Sequence, residues 1–230
     1  MVPARVAGVE AAALRLLADK SMLQASSGSY RMHDLLRQFA AEKLSADELV
    51  HDPVRGAHSA YYLARLQGVE AHLKSAMRTS TLSELDTEIN DLQSAWAWAC
   101  HQAQVSPISR SLSGLCLYYE MRVRYSEGAK ACQAALTGLS SLAEQAGEAL
   151  VLRARLLLWR ANFLTLSGEL DAARSLRQPA GELLDLLEKQ GLDARRPRAM
   201  YWQAEGDAQA ELKTKLECYQ RGIALYGELG

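Results

Sequence analysis

The chain has 230 residues, 49% hydrophobic and 23% charged, with 26 Lys and Arg against 27 Asp and Glu. That balance excludes a disordered polyelectrolyte and a nucleic-acid surface covering the whole molecule, and the length fits one elongated domain or two compact ones. Five prolines and two phenylalanines among abundant Ala, Leu, Glu, Gln and Arg predict an all-α chain.

No apolar run reaches the ~18 residues that a membrane helix needs. Residues 1–18 carry Arg5, Glu10 and Arg15 in place of a signal-peptide core, so a cytoplasmic protein is expected. The cysteines Cys100, Cys116, Cys132 and Cys218 form no C-x-x-C pair and sit in helix-like apolar patterns. Reduced, buried thiols are the expectation, against disulfides or metal ligands.

Val9, Ala12, Ala13, Leu16 and Leu17 predict a short amphipathic helix. Ser21–Gln24 reads as a strand, Ser26 to Ser29 as a turn with Gly28 free to take positive φ, and Tyr30–Met32 as a second strand. At His33-Asp34 the period changes. Met32, Leu35, Leu36, Phe39, Ala40 and Leu44 then share one face of a helix. Helix, hairpin, helix is the closing part of a winged-helix unit, and residues 1–50 are assigned to one. Its earlier helices have no room before Val9, so a fragment of a longer protein is expected.

Ser45-Ala46-Asp47 and Asp52-Pro53 break the pattern. A long helix is predicted from Val54 to about Met77, with His58, Tyr62, Arg65 or Leu66, Val69, Leu73 and Met77 along one stripe. A second follows from Thr81 to Gln104, where Leu82, Leu85, Ile89, Leu92, Trp96, Ala99 and Ala103 keep a heptad rhythm. Residues 51–106 are thus a helical linker hairpin. Trp96 and Trp98 are read as packing residues, with ligand stacking as the other role.

Residues 107–230 repeat. The predicted pairs are Ile108–Arg124 with Ser126–Ala143, Gly147–Leu166 with Glu169–Lys189, and Arg198–Ala210 with Leu212–Leu229. Ala173 and Ala129 are 44 apart, Ala180 and Gly222 42 apart. A period near 40 with small residues at crossings points to an α-solenoid. Pro179 is expected to kink or restart its helix, and Gly206 to weaken the helix near Trp202. Arg153, Arg155 and Arg160 are expected to pair on an exposed side with Glu148. Arg195, Arg196 and Arg198 read as a solvated loop cluster, or as a contact for an acidic partner.

The stretch Leu16 to Leu23, the Gly28 turn and Tyr30 to Ala40 resemble the winged-helix segment of STAND-class signal-transduction ATPases of the NB-ARC type, which include bacterial transcriptional regulators. His58-Ser59-Ala60-Tyr61-Tyr62 and Glu88 to Trp96 are similar to stretches before the tetratricopeptide-like (TPR) sensor of such proteins, although Ile89 stands where an acid is common. Ala161, Gly168, Ala173 and Ala180 match TPR consensus positions, whereas Arg177 replaces the usual aromatic. The resemblance implies a TPR-like α-solenoid behind a partial winged helix. It also implies that His33 of Met32-His33-Asp34 senses the nucleotide state of the parent protein, with Asp34 fixing the turn and capping the helix. A helix-capping histidine is the other reading of His33. ADP or ATP is implied for the parent alone. No G-x-x-x-x-G-K-[ST] motif occurs in this chain, so no catalysis and no cofactor are expected here.

The expected function is that of a non-catalytic sensor in a signal-transduction regulator, binding a protein, peptide or small inducer on the repeat surface. Tyr118, Glu120, Arg122, Arg160, Asn162, Tyr201 and Gln203 are the candidates, being on the first helix of each pair. His51 and His58, with Asp47 and Asp52 nearby, lack the shared geometry of a zinc site. A winged-helix DNA-binding protein is the rival. It would rest on Lys20, Arg31, Arg37 and Lys43, which Asp34 and Glu42 offset. A stand-alone oligomerisation scaffold is the third possibility.

Overall fold

The computed structural model describes residues 11–26, 29–45, 48–140 and 147–228. These are mostly helical: eleven helices and one two-stranded antiparallel ribbon. The chain forms two compact units, Met1–Tyr62 and Leu63–Gly230.

In the first unit, α1 (Ala11–Asp19) ends where Ser21 takes a φ of 59°. The Ser21 and Met22 amides then donate back to Ala18 O and Leu17 O, both at 2.9 Å. Ser21 therefore closes the helix and does not start a strand, a correction to the expected span. Strand β1 is Leu23–Ser26, paired with β2 (Ser29–Met32) in the register Leu23 to Met32 and Ala25 to Tyr30. The expected turn residues Ser27 and Gly28 lie outside the described residues, as do Val9, Ala46 and Asp47. Helix α2 (Asp34–Ser45) begins one residue after β2, at the predicted change of period. Its apolar face departs from expectation. Leu35 is 70% and Phe39 58% exposed, because no described segment of this unit lies over them.

Helix α3 (Glu48–Gln67) runs through Pro53, where a break was expected. So near the helix start the ring removes a single backbone bond, which a helix with a well-packed remainder tolerates.

The long helix predicted to Met77 also needs correction. The chain turns at Gly68 and resumes as α4 (Val69–Leu73). The buried stripe survives the turn, since Leu63, Leu66, Val69 and Leu73 are all within 1% of full burial while Met77 is exposed. Then come α5 (Arg78–His101), α6 (Val105–Met121), α7 (Tyr125–Leu139), α8 (Gly147–Leu166), α9 (Leu170–Lys189), α10 (Arg195–Ala208) and α11 (Leu212–Gly227). The heptad residues Leu82, Leu85, Leu92, Trp96 and Ala99 of α5 are buried, and Trp96 Nε1 donates to Ala131 O at 2.9 Å.

Helices α6 to α11 pack in succession. Each meets its sequence neighbour, α6 meets α8, and α8 meets α10. Leu150, Ala154 and Leu158 of α8 interlock with Ala180, Leu184 and Leu187 of α9. With Ala173 buried before Pro179 and that row buried after it, packing carries α9 through the proline without the expected restart.

Two glycines make the crossings close. A methyl at Gly114 would stand 2.4 Å from Leu66 O, and one at Gly138 would stand 2.0 Å from Cys100 O. Gly206 serves likewise: a methyl there would lie 2.7 Å from the Tyr219 ring, so this glycine is a crossing point of α10 and α11.

Helix ends share one device. After α5, α6, α8 and α9, a residue with φ between +49° and +84° (Ala103, Val123, Gly168, Gly191) turns the chain back. At each, two amides close onto the preceding turn, as in Gln104 N to Ala99 O and Arg124 N to Tyr119 O. This is the Schellman arrangement, which satisfies carbonyls left open at a helix end.

Candidate functional site

Helices α6, α8 and α10 are the first members of their pairs, and their mutual contacts set one wall of a cavity of about 290 Å³. Glu120 from α6, Asn162 from α8 and Gln203 from α10 all line it. These three expected partner-binding residues thus come together. None of the three side chains has a hydrogen bond or ion pair to another described residue.

Glu120 is half-buried with no cation against it, and burial raises its carboxyl above the usual range. Its sequence neighbours are engaged elsewhere. Arg122 Nε donates to Asp86 Oδ1 at 3.1 Å, and Arg124 Nε donates to Glu127 Oε1 at 2.7 Å. Trp159 lies one turn before Asn162 on the same face of α8, lines the cavity, and stacks on Phe163 at 5.8 Å. Leu117, Leu158 and Met200 supply the apolar floor.

Glu70 of α4 bounds the other end. It receives Lys74 Nζ at 2.7 Å and the Arg196 guanidinium. Burial alone would raise the Glu70 carboxyl, but its hydrogen bonds and charge contacts with Lys74 and Arg196 outweigh that and hold it below the usual value. Behind this end, Arg155 donates to Ser109 O at 2.9 Å, Ser109 Oγ at 3.1 Å and Ser113 Oγ at 3.1 Å. Arg155 was expected on an exposed side, paired with acid. Its position on α8 turns it toward α6, where neutral oxygens receive it. Burial and the neighbouring Arg196 hold its guanidinium below the usual value.

The other candidates do not join the cavity. Tyr118 is fully buried, and its hydroxyl donates to Asp86 Oδ1 at 2.9 Å while accepting from Arg124. With Arg122 it braces α6 against α5, a structural task in place of the expected contact with a partner. Arg160, one residue past Trp159, is not among the lining residues. Tyr201 lies on the other side of α10, against Gly181 and under Arg198.

Tyr201 lines a larger cavity of about 1230 Å³ formed by α9, α10 and α11. Its charges are mostly answered within the chain. Arg198 reaches Asp185 at 2.6 Å and Glu188 at 2.8 Å, Arg177 reaches Glu205 at 3.2 Å, and Arg221 lies 4.7 Å from the Trp202 ring. A ligand there would have to displace existing partners, so the smaller cavity is the better site. The arginines expected in a solvated loop are in fact the first turn of α10. Arg195 pairs with Asp193, Arg196 with Glu70, and Arg198 with Asp185 and Glu188.

His33 precedes α2, and its Nδ1 accepts the Leu35 amide at 3.3 Å. This is a helix cap, and the ring supplies it where Asp34 was expected to. Asp34 instead accepts from Arg37 at 2.9 Å.

All four cysteines are free and buried. No helix among the described residues is long and apolar enough to cross a membrane. No protein-family model, curated protein or solved structure matches the chain.

Proposed function

We propose that the chain is the non-catalytic, ligand-sensing part of a STAND-type signal-transduction regulator: the end of a winged-helix domain followed by a TPR-like α-solenoid. The observation that carries the sensing role is the cavity of about 290 Å³ in which the Glu120, Asn162 and Gln203 side chains meet without partners among the described residues. Solvent-accessible polar side chains with no partner among the described residues, gathered in a concave, partly apolar pocket, are available to a ligand. The cavity joins three successive first helices, so an occupant would bias how those pairs sit on one another. The neighbour-to-neighbour packing of α6 to α11 supports the solenoid reading, since solenoid repeats bury their faces on the next pair. The His33-Asp34 step after β2 supports the family reading, with His33 as nucleotide sensor in the parent protein and Nδ1 already used by the cap.

The test is a thermal-shift screen of the full chain against peptides and small metabolites. Hits should be lost in the Asn162→Ala/Gln203→Ala double variant and kept in Arg160→Ala and Tyr201→Phe, which lie outside the cavity. Hits that survive the double variant would remove the site from this surface.

A further inference from the structure

The proposed sensing cavity has a chemical polarity that selects its occupant, and the following argument rests on that cavity being a ligand site. Three carboxylates line it, from Glu70, Glu120 and Asp207, against two cations, Lys74 and Arg196. Both cations are already bound to Glu70. Asp207 accepts the Tyr219 hydroxyl at 2.5 Å, which leaves its charge uncompensated. The Glu120 carboxylate has no partner among the described residues, because Arg122 and Arg124 turn to Asp86 and Glu127. The other polar groups are the Ser113 hydroxyl, which accepts from Arg155, the Tyr226 hydroxyl, and the Asn162 and Gln203 amides, each able to turn a carbonyl oxygen toward a cation. The Trp159 ring offers a π face.

An anion entering here would meet Glu120 and Asp207 with no free cation. A neutral ligand would leave Glu120 unanswered. We infer that the cavity takes a protonated amine or guanidinium, held by the Glu120 carboxylate, the Asn162 and Gln203 carbonyl oxygens and the Trp159 ring. The size agrees. At about 290 Å³ the space is at the small end of ligand pockets, which run roughly 300–1,000 Å³, and holds one short alkyl cation or one basic side chain.

The same chemistry is available from a free amine or from an Arg side chain of a peptide, and the experiment separates the two. The full chain is titrated by calorimetry with agmatine, with a pentapeptide carrying a single central Arg, with glutarate as the anionic control and with pentane-1,5-diol as the neutral one. Agmatine or the peptide is expected to saturate, and the tighter of the two identifies the source. Glutarate and the diol are expected to give no signal. Glu120→Gln should weaken the cation by roughly 10- to 100-fold, the usual effect of discharging one partner of a charged hydrogen bond. Asn162→Ala gives a second measurement, with a smaller loss, if the first variant is poorly behaved.

No saturation by either cation up to about 10 mM, a very weak limit on the affinity scale, would overturn the cation assignment. So would cation binding indifferent to Glu120→Gln. Saturation by glutarate or the diol, lost in Asn162→Ala, would overturn the cation assignment while leaving the cavity a ligand site.

Discussion

Val123 is a β-branched residue held at a φ of 57°, in the turn between α6 and α7, with its side chain 68% exposed. Left-handed backbone of this kind costs a non-glycine residue on the order of 1–3 kcal/mol, and no burial offsets it here. Val123→Gly should therefore raise stability by about 0.5–1 kcal/mol in urea unfolding, the strain relief exceeding the added freedom of the unfolded chain. Gly138→Ala should do the reverse and lower it by about 1–3 kcal/mol, because the methyl meets the Cys100 carbonyl oxygen at 2.0 Å. Glu120 gives a pH signature. Its carboxyl is raised by burial, so the charged form weighs on the folded state above that raised value and the penalty vanishes as pH falls through it. Glu120→Gln should raise Tm by roughly 1–3 °C at pH 7, with the gain fading on acidification. These residues were unequally legible. Glu120, Asn162 and Gln203 were accessible through their place on the first helix of each pair. Arg155 was not, because composition cannot say which side of a helix is covered by a neighbour 42 to 46 residues away in sequence. The Schellman turns at Ala103 and Val123 carry no glycine and so gave no signal.

At the scale of elements, apolar periodicity placed nearly every helix to within a turn, and Gly147–Leu166 was predicted to the residue. The failures have one cause. Pro53, Pro179 and Gly206 were given their local propensity, and tertiary packing overrode it. Gly68 was passed over, since the stripe of Leu66, Val69 and Leu73 continues across the turn. Helices α5, α6 and α7 enclose three of the thiols. Burial, then Cys132, pushes Cys100 up to about 12, and burial with the Cys132 thiol 3.9 Å away raises Cys116 as well. The native chain should thus react slowly with Ellman's reagent at pH 8, and four equivalents should appear on unfolding. Fast native reaction of Cys100 or Cys116 would show that these helices open readily. In contrast, β1, β2 and α2 have little over them, and a lone ribbon of two four-residue strands is marginal in water. Their amides should exchange orders of magnitude faster than those of α6 to α9.

Across the second unit, contacts between successive helices are joined by one of a different kind, the ion pair of Arg196 on α10 with Glu70 on α4, 126 residues apart in sequence. Glu70 is held below the usual carboxylate range, so the pair supports the fold at neutral pH and is lost as pH falls through that lowered value. Wild type should lose Tm below about pH 4, and Arg196→Ala should lose less over the same interval, being without the pair already. The pair has a kinetic consequence as well. Contacts between successive helices form at little cost in loop closure, so α6 to α11 can condense one after another, even while the chain is being synthesised. Glu70 and Arg196 must wait until all that lies between them is in place. Their union belongs on the native side of the rate-limiting barrier, and its removal should quicken unfolding and leave the rate of refolding nearly untouched.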